Sequence, residues 1–154
     1  MKIWTTVLLL LFAGLINAQT NQQKAIIEIN SKFTLKLVEV ESGGYNYTLA
    51  SKESYNQLLD LKKTQNLFTE SASDEIQGIL AYAKIGKEVN AFLILQSGLE
   101  KPLTYDLYIK RNDRQNTEKV SVINLFPDVS STEIWPFRID YIVFSDFDDV
   151  IDED

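Results

Sequence analysis

Short segments in which apolar and polar residues alternate recur along most of this chain, with turn-forming residues between them. The clearest runs from Leu103 to Lys110, where every second residue belongs to one apolar row, as expected when successive side chains of a strand point to opposite faces of a sheet. Residues 33–41 and 45–50 flank Gly43-Gly44 and predict a hairpin, because glycine supplies the positive φ of a tight turn. From Glu75 onwards, strand signals return about every 10 to 15 residues.

These later signals predict strands at 76–85, 89–96, 103–109, 120–126 and 137–144. The continuous apolar run 92–95 indicates a strand that is covered on both faces. One short helix is predicted at 52–64, because Tyr55, Leu58 and Leu59 have the spacing i, i+3, i+4. Together the elements predict a mainly β fold, an antiparallel immunoglobulin-like β-sandwich of seven or eight strands with the helix in a crossover. A two-layer α+β fold is the alternative.

Residues 1–18 have the three parts of a secretory signal peptide. Lys2 supplies the positive start, an apolar stretch follows as far as Ile16, and Ala18 is the small residue expected before the cleavage point. We therefore expect residues 19–24 to be a disordered N-terminal segment, 25–146 to be a single β-sandwich domain, and 147–154 to be an acidic C-terminal tail. The mature chain is expected in the periplasm or at the cell exterior, without insertion into a membrane.

The chain contains neither cysteine nor histidine, and its net charge of −7 becomes −8 if Lys2 leaves with the leader. Triads and dyads that depend on histidine or a thiolate are therefore excluded, as are thiolate metal sites. The negative charge disfavours nucleic acid as a partner. An exported domain of this size without disulfides is more typical of a bacterial envelope than of an animal extracellular module. We predict a non-enzymatic protein with no cofactor and no metal site.

Four tyrosines are the candidate binding residues: Tyr45, Tyr47, Tyr105 and Tyr108. On an exposed strand face such rings bind sugars or extended peptides, whereas core packing is the alternative role for each of them. Tyr108 is the most distinctive, because it lies in the polar row of its strand. The sequence thus predicts a tyrosine-bearing surface as one possible binding site.

A carboxylate pair is the remaining catalytic possibility, since glycoside hydrolysis needs only one protonated and one ionised acid. Asp106 and Asp140 are the candidates, because both lie in the middle of predicted strands among apolar neighbours. Ordinary cross-strand ion pairs with Lys110 and Arg138 are the alternative interpretation, and the favoured one.

The stretch Ser97–Ile109 resembles a turn and strand found in small exported immunoglobulin-like sandwiches, among them chaperone-like periplasmic proteins of curli-type fibre assembly. The resemblance covers a minority of the chain, lacks the cysteine pair that this group often carries, and transfers no site residues. The sequence predicts an exported binding or assembly module of chaperone-like character that holds a protein or an extracellular polymer at a strand edge or tyrosine-bearing face. A structural or adhesive surface component is the alternative, and a carboxylate-dependent glycoside hydrolase is the second alternative. No oligomeric state is predicted.

Overall fold

A computed structural model describes residues 24–64 and 67–151 of the chain. The fold is mainly β: 60% of the described residues lie in strands and almost none in helices, and the antiparallel sheet is curled into a half-barrel. The nine strands are β1 (Ile26–Glu28), β2 (Ser31–Glu39), β3 (Tyr45–Ser54), β4 (Glu75–Ile85), β5 (Glu88–Ser97), β6 (Leu103–Arg111), β7 (Thr117–Val120), β8 (Ser130–Trp135) and β9 (Ile139–Asp149).

The strand order across the sheet is β7-β6-β9-β3-β2-β4-β5-β8. The weakest join is between β9 and β3, which share the single pair Tyr45–Phe147. β1 lies at this join: it pairs with β9 and contacts β3 through an ion pair between Glu28 and Lys52. β1 therefore adds contacts across the weakest join of the curled sheet.

The glycine turn predicted at Gly43-Gly44 is present, and a second glycine turn joins β4 to β5. β2 and β3 form the first hairpin around Gly43 and Gly44, whose φ angles are +95° and +73°. β4 and β5 form the second around Gly86, whose φ is +62°. Glycine is favoured at these positions because it has no Cβ to clash in the left-handed region. The hairpin prediction is confirmed, although β3 continues as far as Ser54.

The main core fills the inside of the half-barrel and is built from the inward rows of β2, β4, β5, β6 and β9. The alternation predicted for β6 is confirmed, since every second residue from Leu103 to Ile109 is buried while the residues between them are partly or fully exposed. Aromatic rings form its centre: Phe144 and Phe147 stack with their centroids 5.7 Å apart, and Phe33 packs on Phe144 at 5.9 Å. Such burial is the main favourable contribution to folding.

A second, smaller core lies on the outer face of β4 and β5 and explains the continuous apolar run of β5. Ile79, Phe92 and Ile94 face outward there and are buried beneath the chain that follows β3. Leu59 from that chain enters the cluster, and its amide donates a hydrogen bond to the Tyr82 carbonyl at 2.8 Å. The prediction that both faces of 92–95 are covered is confirmed.

The helix predicted at 52–64 is wrong. Residues 51–54 belong to β3 and pair with the start of β2, and residues 55–63 contain no helical turn. Leu59 is buried, but Leu58 remains exposed, so the spacing of the leucines does not define one apolar face. The Leu59 amide bonds to the Tyr82 carbonyl of β4, and the Tyr55 amide bonds to the Asn30 carbonyl, in place of helical bonds. The helical layer of the α+β alternative is also absent from the described part of the chain.

Three further boundaries differ from the prediction. The strand expected at 120–126 is mostly a connection, because β7 ends at Val120, and the residues expected to form a loop before Pro136 contain β8. β9 extends to Asp149 with Phe147 buried, so the first three residues of the predicted tail are strand. The immunoglobulin-like sandwich is not confirmed, since the strands form one curled sheet.

The predicted signal peptide and nearly all of the segment 19–24 lie outside the described residues. Within residues 24–64 and 67–151, no helix has the length and apolar character needed to cross a membrane.

Candidate functional site

Two of the four candidate tyrosines are core residues. Tyr47 and Tyr105 are almost fully buried, and both pack against Phe147, at centroid distances of 5.4 and 5.7 Å. The Tyr47 hydroxyl donates to the Phe144 carbonyl at 2.7 Å and accepts from the Ala25 amide at 3.2 Å. The Tyr105 hydroxyl is buried with no hydrogen-bond partner among the described residues. Neither ring contributes to an exposed face.

The other two tyrosines are partly exposed but lie on different strands. Tyr45 begins β3, and its hydroxyl donates to Asp149 at 2.7 Å. Burial and that carboxylate raise the pKa of Tyr45 to about 12. Tyr108 lies in the outward row of β6, with the Lys24 ammonium 5.5 Å from its ring centroid. The four tyrosines therefore do not form one surface.

The two candidate catalytic carboxylates are also separated. Asp106 pairs with Lys119, and Asp140 lies 3.4 Å from the Lys110 ammonium. Asp106 is opposite Ser145 on β9, so the offset of five residues between Ser145 and Asp140 places the two aspartates roughly 16 Å apart along the strand. Glycosidase pairs are separated by about 5 to 9.5 Å. These aspartates act as cross-strand ion-pair partners, although Asp106 pairs with a lysine that the sequence did not single out.

The outer edge of β8 is the most distinctive surface of the fold. β8 pairs with β5 from Ala91–Trp135 to Gln96–Ser130, and within residues 24–64 and 67–151 no strand pairs with its other side. Such an edge presents unpaired amide and carbonyl groups. Natural edges are usually protected by charged residues, proline, a bulge or a covering loop; β8 has no lysine, proline or bulge. Its single charge, Glu133, is half-buried and accepts a hydrogen bond from the Ile123 amide at 2.8 Å.

Exposed apolar side chains flank this edge. Ile134 on β8 is 47% exposed, and Ile123, Phe126 and Val129 in the preceding connection are each more than half exposed. The connection is held near β8 by the Glu133–Ile123 hydrogen bond. It is anchored to the mouth of the half-barrel by two hydrogen bonds between the backbones of Leu125 and Leu103. Grouped apolar exposure of this kind is typical of interaction sites.

The opposite end of the sheet is better protected. β7 has only four residues, and two of them, Glu118 and Lys119, are charged. Both take part in ion pairs, with Arg114 and Asp106 respectively. A short, charged strand is a poor template for a further strand. Of the two terminal strands, β8 is the one suited to pairing with another chain.

The β8 edge was missed at the sequence level because its inward row is largely polar. Ser131 and Glu133 occupy two of the three inward positions, so only Trp135 marks a buried face. The available signal was the β-branched and aromatic content of Thr132, Ile134 and Trp135.

The described residues contain no group of three or more acidic, cysteine or histidine side chains placed to hold a metal ion. No protein-family model, no curated protein and no solved structure matches this chain.

Proposed function

We propose that this chain is an exported, non-enzymatic binding module that holds an extended segment of a partner protein along the outer edge of β8. The observation that carries the proposal is that no strand in the described part of the chain pairs with the outer edge of this six-residue strand, which has no lysine, proline or bulge. Added strands gain affinity from main-chain hydrogen bonds and specificity from alternate side chains.

The surroundings of β8 indicate which segment would fit. Thr132 and Ile134 point to the exposed face, so a partner strand would place alternate residues beside them. The exposed Ile134 favours an apolar side chain beside it on that face of the partner. The partner segment is therefore expected to be β-forming, with apolar residues at every second position.

A peptide library tests this assignment. Random peptides would be selected on the mature chain, and the binding site would be located by the amide hydrogen exchange of residues 130–135. We expect the selected peptides to alternate apolar and polar residues and to slow exchange in β8. Selected peptides that protect another strand, or a library that yields no binder, would contradict the proposal.

A matched pair of substitutions sharpens the test. Ile134→Lys places a charge beside the edge and is expected to weaken peptide binding by roughly tenfold, or about 1.4 kcal/mol. Ile26→Lys on β1 is the control, since Ile26 is 48% exposed, almost the same as Ile134, but lies on a strand that pairs with β9. Equal affinities for the two variants, or a β8-dependent dimer formed without peptide, would argue against a partner protein as the occupant.

A further inference from the structure

A cleft of about 360 Å³ lies at one end of the sheet, away from the middle of β8. It is formed where β2 ends, β3 begins and the turn between β5 and β6 passes. Leu37 and Leu99 are buried and supply apolar surface within it, and Tyr45 supplies an aromatic ring. The remaining lining residues are Glu39, Ser73, Asp74, Glu100 and Lys101. Its volume is within the range of cavities that hold small ligands or side chains.

The charges around the cleft are unbalanced. Lys101 is its only cation, and its ammonium is engaged by Asp149 at 3.0 Å, while Asp74 is paired with Lys36 at 3.2 Å. Glu39 and Glu100 form no ion pair with any described residue. Two carboxylates are thus left without a cation beside an apolar surface.

The negative potential also acts on the groups within the cleft. The pKa of Tyr45 is raised mainly by burial, then by its hydrogen bond to Asp149, with a further contribution from Glu39. The pKa of Lys101 is raised mainly by its hydrogen bond to Asp149, and Glu39 adds to the same effect. Glu39 therefore acts on both residues although it bonds to neither.

We propose that this cleft binds a basic side chain, arginine or lysine, from a partner protein. The aliphatic part of the side chain would lie against Leu37 and Leu99, and its cation would lie between Glu39 and Glu100. A guanidinium group also stacks favourably on a tyrosine ring such as that of Tyr45. This combination of an apolar stem and a terminal cation matches a cleft with apolar surface and free carboxylates. The proposal does not depend on the β8 edge.

The test is a nuclear magnetic resonance titration of the mature chain with N-acetyl-arginine amide and N-acetyl-lysine amide. We expect chemical-shift changes confined to the cleft, around Leu37, Tyr45 and Leu99, and weaker binding at higher salt. N-acetyl-norleucine amide, which has the stem without the charge, is expected to bind at least about tenfold more weakly. Equal binding of norleucine amide would overturn the proposal, as would shifts located elsewhere.

Charge-matched variants separate a site from a general effect of net charge. The double variant Glu39→Gln/Glu100→Gln removes two charges in the cleft, and Glu53→Gln/Glu88→Gln removes two exposed charges outside it. We expect roughly a fivefold or greater loss of arginine-amide affinity for the first and less than about a twofold loss for the second. Equal losses of affinity in the two double variants would mean that net charge alone explains the binding, and would overturn the proposal.

Two further measurements cover other outcomes. Lys101→Gln removes the competing cation, so it is expected to strengthen arginine-amide binding by roughly twofold to fivefold; weaker binding would contradict the proposed role of the cleft.

Calcium is the second probe, and a calcium affinity above that of arginine amide at the same residues would assign the carboxylates to a metal ion instead. Chemical shifts of residues remote from the cleft show in the same spectra whether each variant remains folded.

Discussion

At the scale of single residues, two tyrosines in one aromatic cluster differ in a way that their sequence context does not show. Tyr47 and Tyr105 both contact Phe147 and both are buried, yet only Tyr47 has hydrogen-bond partners for its hydroxyl. A buried hydroxyl without a hydrogen-bond partner destabilises the folded state, whereas a buried hydrogen bond stabilises it slightly. The two rings should therefore respond differently to loss of the oxygen atom.

Tyr47→Phe should lower the free energy of unfolding by about 1 to 3 kcal/mol, because the Phe144 carbonyl is left buried and unpaired. Tyr105→Phe should be neutral or stabilising, because it removes an orphaned oxygen without changing the ring. Urea denaturation of both variants measures the difference. A loss for Tyr105→Phe as large as that for Tyr47→Phe would show that its hydroxyl has a partner in solution.

Alkaline pH gives a second prediction at this scale. The pKa values of Tyr45, Tyr47 and Tyr105 are all raised, mainly because burial disfavours the phenolate. The folded state therefore keeps protons that the unfolded chain releases near pH 10, and stability should be unaffected below that pH and should fall as pH rises from 10 towards 12. Near-ultraviolet absorbance should show phenolates from Tyr47 and Tyr105 only as the protein unfolds. Their ionisation near pH 10 in the folded protein would be inconsistent with their burial.

At the scale of elements, close packing between strands depends on one glycine of β4. A Cβ atom on Gly78 would lie 2.2 Å from Cζ of Phe33 and 2.8 Å from Cδ2 of Leu95. Phe33 is buried against Phe144 and cannot move freely. The Phe33 ring can occupy this position only because residue 78 of β4 is a glycine, which has no side chain.

Gly78→Ala should therefore destabilise the protein by about 1 to 3 kcal/mol or more through overpacking. Phe33→Leu should also destabilise it, by removing buried surface, but the double variant should lose less than the sum of the two because the smaller side chain makes room for the methyl group. Thermal or urea unfolding of the three variants measures the coupling. Strictly additive losses would mean that the methyl group is accommodated somewhere other than at Phe33.

The same scale shows what the sequence could predict. Strands with apolar inward rows and glycine turns were predictable, such as β6 and the hairpin of β4 and β5, because local pattern and burial agree in them. β8 was not, because polar Ser131 and Glu133 occupy its inward row. The helix failed for a related reason: the Leu59 amide bonds to the Tyr82 carbonyl of β4, and this tertiary contact outweighs the weak helical spacing of Tyr55 and the two leucines that follow it.

At the scale of the whole molecule, the curl of the sheet determines which surfaces are available. It buries Tyr47 and Tyr105, which the sequence predicted as binding residues, and separates Asp106 from Asp140 along β9. It also leaves β7 and β8 as the terminal strands, of which only β8 lacks charged protection on its outward face. The β8 edge and the cleft could not be located from the sequence, because strand order across a sheet depends on long-range pairing and not on local pattern. The same pairing brings Leu37 and Leu99 together in the cleft.

The central claim is that a partner strand adds to β8, and the most direct test is the structure of a complex in solution. A peptide selected on the mature chain would be labelled with isotopes, and nuclear Overhauser effects between its backbone and that of the protein would be recorded. We predict a ladder of contacts from the peptide to alternate residues of Ser130–Trp135, with the β5–β8 pairing unchanged. A ladder to β7 or to any other strand, or contacts from side chains alone, would contradict the claim.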